Sequence, residues 1–278
     1  MEKMKVGIAI HVEKDPYESI KKNVEETGLH NGQLLFWDMS MYNEENVEKV
    51  KRACREFDFE VTGLWCGWSG KVIWSYPEKY RTVGLVPAET RAQRVEDILK
   101  GAWFANEIGV KTLITHPGYM PDNPFDETHI AVVKAFKHIC REIKKYGQQF
   151  IFETGELIPV TMVQLMLEIG EENVGVNFDP SNIITSGRAN AKNALELLIP
   201  YVKGFHAKDG VYPKGINPGG HQVRVVGTGE VDYPAIIKIL KDSGYDGALT
   251  IEHETASDDR NQDIKDTTAY LESLIASV

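Results

Sequence analysis

Short apolar runs alternate with longer amphipathic segments from the beginning of the chain to its end. Each short run is rich in Val, Ile, Leu and Phe and has the length of a buried strand. The pattern predicts eight strands, over residues 5–10, 32–37, 59–66, 110–116, 149–153, 174–179, 202–207 and 247–253.

The segments between the strands carry apolar residues at spacings of three and four, which predicts helices with one buried face. The segment 90–109 closes with Gly109, a residue suited to a helix C-cap. The segment 126–147 ends in a lysine pair before Gly147, as a helix C-terminus prefers. Two more helices are predicted over 233–247 and 263–278.

Eight strands alternating with helices at a period of roughly thirty residues are typical of a (β/α)₈ barrel, whose usual length is about 250 residues. A doubly wound sheet has the same alternation but needs a glycine-rich phosphate loop after its first strand. There the sequence reads "AIHVEKDPY", without glycine, and the later "GTGEVDY" at 227–233 follows no convincing strand. The predicted fold class is therefore α/β, a (β/α)₈ TIM barrel.

No linker, low-complexity tract or block of charge divides the chain, so residues 1–278 are predicted to form a single domain. The longest irregular stretches, 67–89 and 209–230, both follow strands. Loops after the strands build the active face of a barrel, so the extra length falls where chemistry is expected.

The composition narrows the class of protein. The 278 residues are 42% hydrophobic and 26% charged, as in a soluble globular protein, and the net charge of −10 argues against nucleic acid or an anionic membrane as partner. The start shows no secretory signal, and no apolar stretch approaches a membrane span. Three scattered cysteines, interpreted as packing residues, fit a reducing compartment, so a cytoplasmic location is predicted.

Polar side chains follow four consecutive predicted strands at the point where each strand ends. They are Glu153 in "IFETGE", Asp179 in "VNFDPSN", His206 in "GFHAKDG" and Glu252 in "TIEHE". Parallel barrel strands bring their ends to one rim, so two Glu, one Asp and one His are expected to converge. Such ligands suit one divalent cation, Mn²⁺, Mg²⁺ or Co²⁺, better than a thiolate-loving metal.

Each acid has an ordinary structural interpretation as well. A lone carboxylate at a strand end is usually a helix N-cap, and "DPSN" at 179–182 is a plausible turn or cap. The set favours the metal, because three clustered acids repel one another unless a cation neutralises them. A histidine among them is then more readily explained as a ligand than as a core residue.

These residues and their order resemble the sugar isomerase/epimerase family with a xylose-isomerase-like TIM barrel, which includes ketose 3-epimerases, hydroxypyruvate isomerase, inosose dehydratase and sugar phosphate isomerases. The resemblance covers essentially the whole chain, most clearly in "IFETGE", "VNFDPSN", "GFHAKDG" and the segment from "VVGTGEVDY" to "TIEHE". It implies one metal ion held by all four residues. Glu153 and Glu252 are then also the catalytic acid/base pair, on opposite faces of the substrate.

The implied activity is isomerisation or epimerisation of a sugar, keto-sugar or sugar derivative by proton transfer through a metal-bound enediolate. A metal stabilises the charge that develops on the oxygens, and a carboxylate can accept the proton. A dehydratase or lyase that begins with the same proton abstraction is the alternative. Endonucleases of DNA repair also have this barrel, but they need more histidines and a basic surface than this chain offers. A catalytically silent sugar-binding protein is a further alternative.

The chain departs from the ketose 3-epimerases at two positions. Asn182 stands where they carry a His, and Tyr212 stands where they carry an Arg; in the family, both residues contact substrate oxygens. A free-ketose 3-epimerase is therefore in doubt. "HAKDG" is more similar to the inosose dehydratase and sugar-phosphate branch, which implies that Lys208 contacts a substrate oxygen or phosphate. Asp209 would orient Lys208 or cap the loop.

Other residues near the predicted rim complete the list of candidates. Trp68 is interpreted as packing the long third loop. Arg224 is a candidate for contact with an anionic group of the substrate, and a surface salt bridge is the alternative. The predicted partner is a small-molecule sugar substrate, and a homo-oligomer is one option for the assembly. The candidate substrate-binding residues are Lys208, His116, Asn182, Trp65, His11 and Arg224.

Overall fold

The computed structural model of the chain describes residues 4–215 and 222–277. The predicted loop 209–230 and the predicted final helix 263–278 therefore fall partly outside the described residues. Eight strands form a closed barrel, and each strand pairs in parallel with both neighbours. Around the barrel the strands follow their order in the chain, and the first strand pairs with the last. The predicted (β/α)₈ barrel is confirmed.

The barrel strands lie close to the predicted runs. They are β1 (Lys5–Val12), β2 (Asn31–Phe36), β3 (Glu60–Cys66), β4 (Thr112–Thr115), β5 (Gln149–Glu153), β6 (Val174–Phe178), β7 (Val202–Ala207) and β10 (Ala248–Ile251). A separate antiparallel pair, β8 (Asp209–Gly210) and β9 (Val223–Arg224), lies outside the barrel.

Helices connect the strands on the outside. They are α1 (Pro16–Thr27), α2 (Glu44–Glu56), α3 (Lys79–Thr82), α4 (Ala88–Glu107), α5 (Glu127–Ile143), α6 (Pro159–Ile169), α7 (Pro180–Thr185), α8 (Ala191–Leu198), α9 (Tyr233–Asp242) and α10 (Arg260–Ser277).

The helix after β3 ends where its predicted glycine lies. Gly109 follows α4 with φ +83, a left-handed conformation that a side chain would strain, and its N–H bonds to the Asn106 carbonyl. Similarly, Gly147 closes a short 3₁₀ turn after α5 with φ +64. The two glycines therefore predicted correctly where these helical segments end.

The apolar residues form two groups on either side of the barrel wall. The larger group lies between strands and helices, and a smaller group fills the barrel interior with Ala9, Leu35, Trp65, Ile114 and Ile151. In β2, Leu34 belongs to the outer group and Leu35 to the inner, because successive side chains of a strand point to opposite faces.

Both long loops contain regular structure that the sequence did not predict. The loop 67–89 includes α3 and the first two residues of α4, and the loop 209–230 includes the β8–β9 pair. The strands β4 and β10 are shorter than predicted, so that His116 and Glu252 lie just past the last strand residue. Across the described residues, no helix combines the length and apolar character required to cross a membrane.

Candidate active site

A cavity of about 460 Å³ opens at the carboxyl-terminal ends of the barrel strands. Its lining combines side chains that lie at strand ends with others from the loops that follow. This is the face on which barrel enzymes carry their active sites. Most of the predicted site residues border this cavity; they are Glu153, Glu252, Lys208, His116, Asn182, Trp65 and His11.

The four predicted metal-binding residues meet in one buried cluster. Glu153 is the last residue of β5, His206 lies within β7, and Asp179 and Glu252 directly follow β6 and β10. Each side chain offers a ligand atom, and these atoms all lie within 4.8 Å of one another. Residues separated by up to 99 positions in the chain thus converge because adjacent parallel strands end at the same level.

His206 lies at the centre of the cluster. Its Nδ1 is 3.3 Å from Glu153 Oε1, 3.3 Å from Glu252 Oε2 and 3.8 Å from Asp179 Oδ2. The other ring nitrogen, Nε2, donates to Gln33 Oε1 at 2.8 Å. This bond places a proton on Nε2 and turns Nδ1 toward the carboxylates. Burial disfavours the charged ring, but the Glu153 and Glu252 carboxylates outweigh burial and raise the pKa of His206 well above its usual value, so Nδ1 also holds a proton, which a bound cation would displace.

Two buried atoms of the cluster, His206 Nδ1 and Asp179 Oδ2, have no hydrogen-bond partner among the described residues. Asp179 uses its other oxygen to cap α7, where Oδ1 accepts from the Asn182 N–H at 2.8 Å. The capping interpretation of Asp179 is therefore correct and leaves Oδ2 directed at the cluster. Buried polar atoms are rarely left unsatisfied, so both atoms fit coordination of a cation.

The electrostatics of the cluster reflect crowding of like charges. Burial raises the pKa of Asp179 to about 6; Lys208 opposes this change, and the Glu252 and Glu153 carboxylates add to it. At Glu252 burial also acts to raise the pKa, but Lys208 and His206 outweigh it and hold the pKa well below its usual range. A divalent cation would relieve the remaining repulsion among the three acids.

Glu153 is held by donors on both of its oxygens. The Trp65 indole N–H donates to Oε2, and Asn182 Nδ2 donates to Oε1 at 3.0 Å. The carboxylate is nevertheless at the floor of the cavity, which Trp65 and Asn182 also line. Two predicted substrate-binding residues thus also fix the orientation of a predicted catalytic residue.

His116 connects the cluster to a further acid, Glu156. His116 Nδ1 lies 2.8 Å from Glu156 Oε1, and its Nε2 lies 3.7 Å from Glu153 Oε2. Burial disfavours the charged ring, but the Glu156 and Glu153 carboxylates outweigh burial and raise the pKa of His116 to about 9. His116 is therefore a cationic donor at neutral pH, next to the cluster.

Lys208 and Asp209 have different tasks although they are adjacent. Lys208 donates to Glu252 Oε2 at 3.0 Å, ion-pairs with Glu254 and is only 4% exposed. Asp209 is buried and accepts backbone N–H groups from Gly210, Gly227, Gly229 and Val231. Asp209 therefore anchors the loop after β7, as one of its two predicted roles required.

The remaining sequence candidates lie farther from the cluster. His11, near the end of β1, is exposed and borders the cavity. Arg224 is half-buried in β9, pairs in register with Asp209 and is absent from the described residues that line the cavity. Trp68 is buried, lies 5.7 Å from the Trp65 ring, and packs as interpreted.

Several lining residues were not recognised from the sequence. Three aromatic residues, Trp37, Trp74 and Tyr119, form one wall of the cavity together with Trp65. Trp37 directly follows β2, a position that could have identified it by the rule used for the acids. Trp74 and Tyr119 lie within loops, and Gln33 lies inside a strand, so no local signal distinguished them.

The fold and the site together define a (β/α)₈ barrel with a candidate metal centre at its carboxyl-terminal mouth. The chain belongs to the xylose isomerase-like TIM barrel family, whose sequence profile matches residues 21–274. The resemblance inferred from the four motifs is thereby confirmed.

Individual relatives agree with this assignment. An inosose dehydratase from Clostridium perfringens is 25% identical over 242 residues, covering 75% of this chain and 74% of the dehydratase. A xylose isomerase domain protein from Planctomyces limnophilus has a similar structure, with a TM-score of 0.88, 25% identity, and coverage of 100% of this chain and 99% of that one.

A 3-keto-D-glucoside 4-epimerase from E. coli shares the fold, with a TM-score of 0.72, 16% identity, and coverage of 98% of this chain and 100% of that one. The chain spans between 57% and 74% of the length of the curated relatives that it matches.

Proposed function

We propose that the chain is a divalent-metal-dependent enzyme that isomerises or epimerises a sugar, keto-sugar or sugar derivative by moving a proton on carbon next to a carbonyl group. One observation carries the proposal: Glu153, Asp179, His206 and Glu252 offer ligand atoms within 4.8 Å of one another at the floor of a cavity. Membership of the family, and relatives that include a dehydratase and an epimerase, support an enzyme of this kind.

The donor set fits Mn²⁺, Mg²⁺ or Co²⁺. Three carboxylates and one neutral imidazole are hard or borderline ligands, and His206 Nδ1 and Asp179 Oδ2 are buried without another partner. A cation bound there would act as a Lewis acid toward the substrate's carbonyl and hydroxyl oxygens. Gln33 would support it by fixing the tautomer of His206.

Glu153 and Glu252 are suited to proton transfer. One carboxylate oxygen takes the proton as the substrate C–H bond breaks, and the electron pair moves toward the carbonyl oxygen to give an enediolate. The other glutamate returns a proton to the opposite face, or to the neighbouring carbon. Trp65 and Asn182 hold Glu153, and Lys208 holds Glu252, so neither carboxylate needs to reorient.

The rest of the cavity suits a polyhydroxylated substrate. The aromatic wall offers flat surfaces to sugar C–H groups, while Lys208 and His116 offer charged donors to hydroxyl and carbonyl oxygens. His11 at the rim would contact the outer end of the substrate. Arg224 would act indirectly, because it pairs with Asp209 and so helps to fix the position of the loop after β7.

Dehydration is the second candidate, and similarity to an inosose dehydratase favours it. The same carboxylate would remove the proton, and the electron pair would expel a hydroxyl group from the neighbouring carbon. That group would leave as water after taking up a proton from a donor such as His116. Isomerase and dehydratase thus share the first step and differ in the fate of the enediolate.

A deuterium exchange experiment tests the proposal. The protein with Mn²⁺ is incubated in D₂O with ketoses, inososes, 3-keto sugars and sugar phosphates, and the products are analysed by mass spectrometry after removal of the metal. Deuterium in an epimer or isomer supports the first candidate, and loss of water supports the second. Absence of both for every substrate, with metal bound, contradicts the proposal.

Glutamine variants test the roles of the two acids. We expect Glu153→Gln and Glu252→Gln to lower turnover at least about 100-fold, the usual contribution of general acid–base catalysis. Glu13→Gln is the matched control, because Glu13 is exposed on the same face but does not line the cavity. Full turnover in either cavity variant would contradict the assigned role, and metal content is measured for each.

A further inference from the structure

A pair of basic residues flanks Tyr119 at the edge of the cavity. Lys79 Nζ lies 4.9 Å from the centre of the Tyr119 ring, and the Arg188 guanidinium carbon lies 5.4 Å from it. Lys79 belongs to α3 in the loop after β3, whereas Arg188 follows α7 in the loop after β6. Three loops of the active face therefore bring two positive charges to one aromatic ring.

Neither cation forms an ion pair with a carboxylate of the described residues. Within the described ranges 4–215 and 222–277, no carboxylate lies within the 4.0 Å of Lys79 or Arg188 that defines an ion pair, although the chain carries 41 acidic residues. Both side chains are half-buried, and Arg188 Nε is fully buried without a hydrogen-bond partner. Burial and the nearby Arg188 charge lower the pKa of Lys79, and the Glu156 carboxylate only partly offsets them.

The other cations of the site are neutralised by the chain itself. Lys208 lies 3.0 Å from Glu252 and also contacts Glu254, and His116 is 2.8 Å from Glu156. Their positive charge is therefore already compensated by neighbouring acids. In the part of the chain that the structure describes, Lys79 and Arg188 have no carboxylate at ion-pair distance, and Glu156 acts on Lys79 only from farther away. Like charges placed together are costly unless an anion binds between or beside them.

A second cavity, of about 400 Å³, brings Arg188 next to the active site. Arg188, Tyr80 and Asp122 are among its lining residues. Tyr119 and Glu156 line both this cavity and the catalytic one, so the two spaces share a wall. A substrate with its reacting carbons at the metal-binding cluster can therefore extend past Tyr119 toward Arg188, and Lys79 lies beside the same Tyr119 ring.

We propose that Lys79 and Arg188 form a subsite for an anionic substituent, a phosphate or a carboxylate, carried by the sugar substrate at a distance from its reacting carbons. The inference rests on the proposed function and narrows its substrate class to acidic sugar derivatives. The guanidinium of Arg188 presents a planar fork that matches an oxyanion, and the Lys79 ammonium adds a mobile point charge. Lys208 is then left to orient Glu252 and a substrate hydroxyl group.

Calorimetric binding to the Mn²⁺-loaded protein tests the subsite without requiring turnover. Two pairs of probes are compared: D-fructose 6-phosphate with D-fructose, and D-glucuronate with D-glucose. We expect the charged member of at least one pair to bind at least about tenfold more tightly, as charge-assisted hydrogen bonds do. The pair in which the charged member binds more tightly identifies the substituent as phosphate or carboxylate. The difference in affinity is expected to decrease with added salt.

Charge-removing variants establish where the preference originates. The combined Lys79→Gln and Arg188→Gln substitution is expected to abolish the preference and leave binding of the neutral sugars unchanged. Arg81→Gln, an exposed position two residues from Lys79 on α3, is the matched control and is expected to retain it.

Equal binding of charged and neutral members in both pairs would overturn the subsite, as would a preference that persists in the double variant. Neither result depends on the proposed reaction, because deuterium exchange tests that reaction separately. A chain that prefers the charged sugars but catalyses no exchange keeps the subsite and loses the proposed function.

Discussion

At the scale of single residues, the site depends on hydrogen bonds that orient its charged groups. Gln33 receives the Nε2–H of His206 at 2.8 Å and donates through its own Nε2 to Asn177 Oδ1 at 3.4 Å. Both amides are buried in neighbouring parts of the barrel interior. The orientation of one imidazole thus depends on a strand 173 residues away in the chain, which spacing in the sequence could not reveal.

A second buried histidine, His129 on α5, has a purely structural setting. Its Nδ1 donates to the Pro121 carbonyl at 2.8 Å, and its Nε2 lies 2.6 Å from Glu168 Oε2. Burial disfavours the charged ring, but the Pro121 carbonyl and the Glu168 carboxylate outweigh it and raise the pKa of His129. Both ring nitrogens carry protons in this arrangement.

The raised pKa of His129 predicts a specific pH dependence of stability. The contribution of the charged ring is fully present below the unfolded pKa of about 6.5 and is lost as pH rises through the higher folded value. We therefore expect His129→Gln to destabilise the protein more at pH 6 than at pH 9.5, as measured by urea unfolding. His138→Gln, an exposed histidine on the same helix, should show no such difference, and a pH-independent cost for His129→Gln would refute the interpretation.

The site residues at strand ends were predictable because the carboxyl ends of parallel barrel strands meet at one rim. Glu153, Asp179, His206 and Glu252 each follow an apolar run, and their convergence required nothing beyond parallel strands of similar length. Glu156 was not recognised because it lies three residues past its strand, in a loop whose path depends on contacts with His116. Local pattern cannot specify such contacts.

At the scale of elements, one carboxylate organises the loop between β7 and α9. Asp209 is fully buried and accepts four backbone N–H groups at 2.7–3.1 Å. Gly229 lies so close that a Cβ atom there would be 2.1 Å from Asp209 Oδ1. The two glycines of "GTG" at 227–229 therefore belong to the loop that Asp209 anchors, and they do not form a nucleotide-binding loop.

Asp209→Asn tests this anchor. An amide offers one acceptor oxygen in place of two and directs its NH₂ group at backbone donors, so we expect a loss of about 2–3 kcal/mol in unfolding free energy. Hydrogen exchange of the Gly227, Gly229 and Val231 amides should accelerate. Asp232→Asn is the control, because Asp232 caps α9 through a single bond, and Asn caps equally well. Unchanged exchange in Asp209→Asn would exclude the anchoring role.

The loop after β3 shows what a sequence pattern leaves undetermined. Arg94 on α4 is 1% exposed and donates to the carbonyl groups of Ser69, Lys71, Thr82 and Gly84. These bonds fold the loop back over the helix; the same loop carries Trp74, which lines the cavity, and Lys79, which lies beside the Tyr119 ring. Helical periodicity predicted α4 correctly, but it could not show that one of its arginines is buried among carbonyl oxygens.

At the scale of the whole molecule, the acidic cluster lowers the stability of the fold, and packing elsewhere in the barrel offsets that loss. Three buried carboxylates near one another oppose folding, whereas a cation that binds the folded state alone favours it. The large apolar layers on both sides of the barrel wall supply the compensating free energy. Such an arrangement is expected where function, rather than stability, determines the residues.

Metal binding should therefore appear in thermal unfolding. We expect Mn²⁺ at a hundred times its dissociation constant to stabilise the protein by about 2.7 kcal/mol over the protein in EDTA, measured by calorimetry. Asp179→Asn keeps the cap on α7 but removes one charge, so it should melt no lower than the wild type in EDTA and gain little from Mn²⁺. An equal Mn²⁺ effect on both proteins would argue against the cluster as the binding site.

The two halves of the barrel mouth differ in chemistry. The strands β2, β3 and β4 lead to Trp37, Trp65 and Tyr119, whereas β5, β6, β7 and β10 lead to the acids and the histidine. A guest molecule with one apolar edge and another edge rich in oxygen atoms would therefore fit this mouth in one orientation, with the apolar edge at the indoles and the oxygen atoms at the cluster.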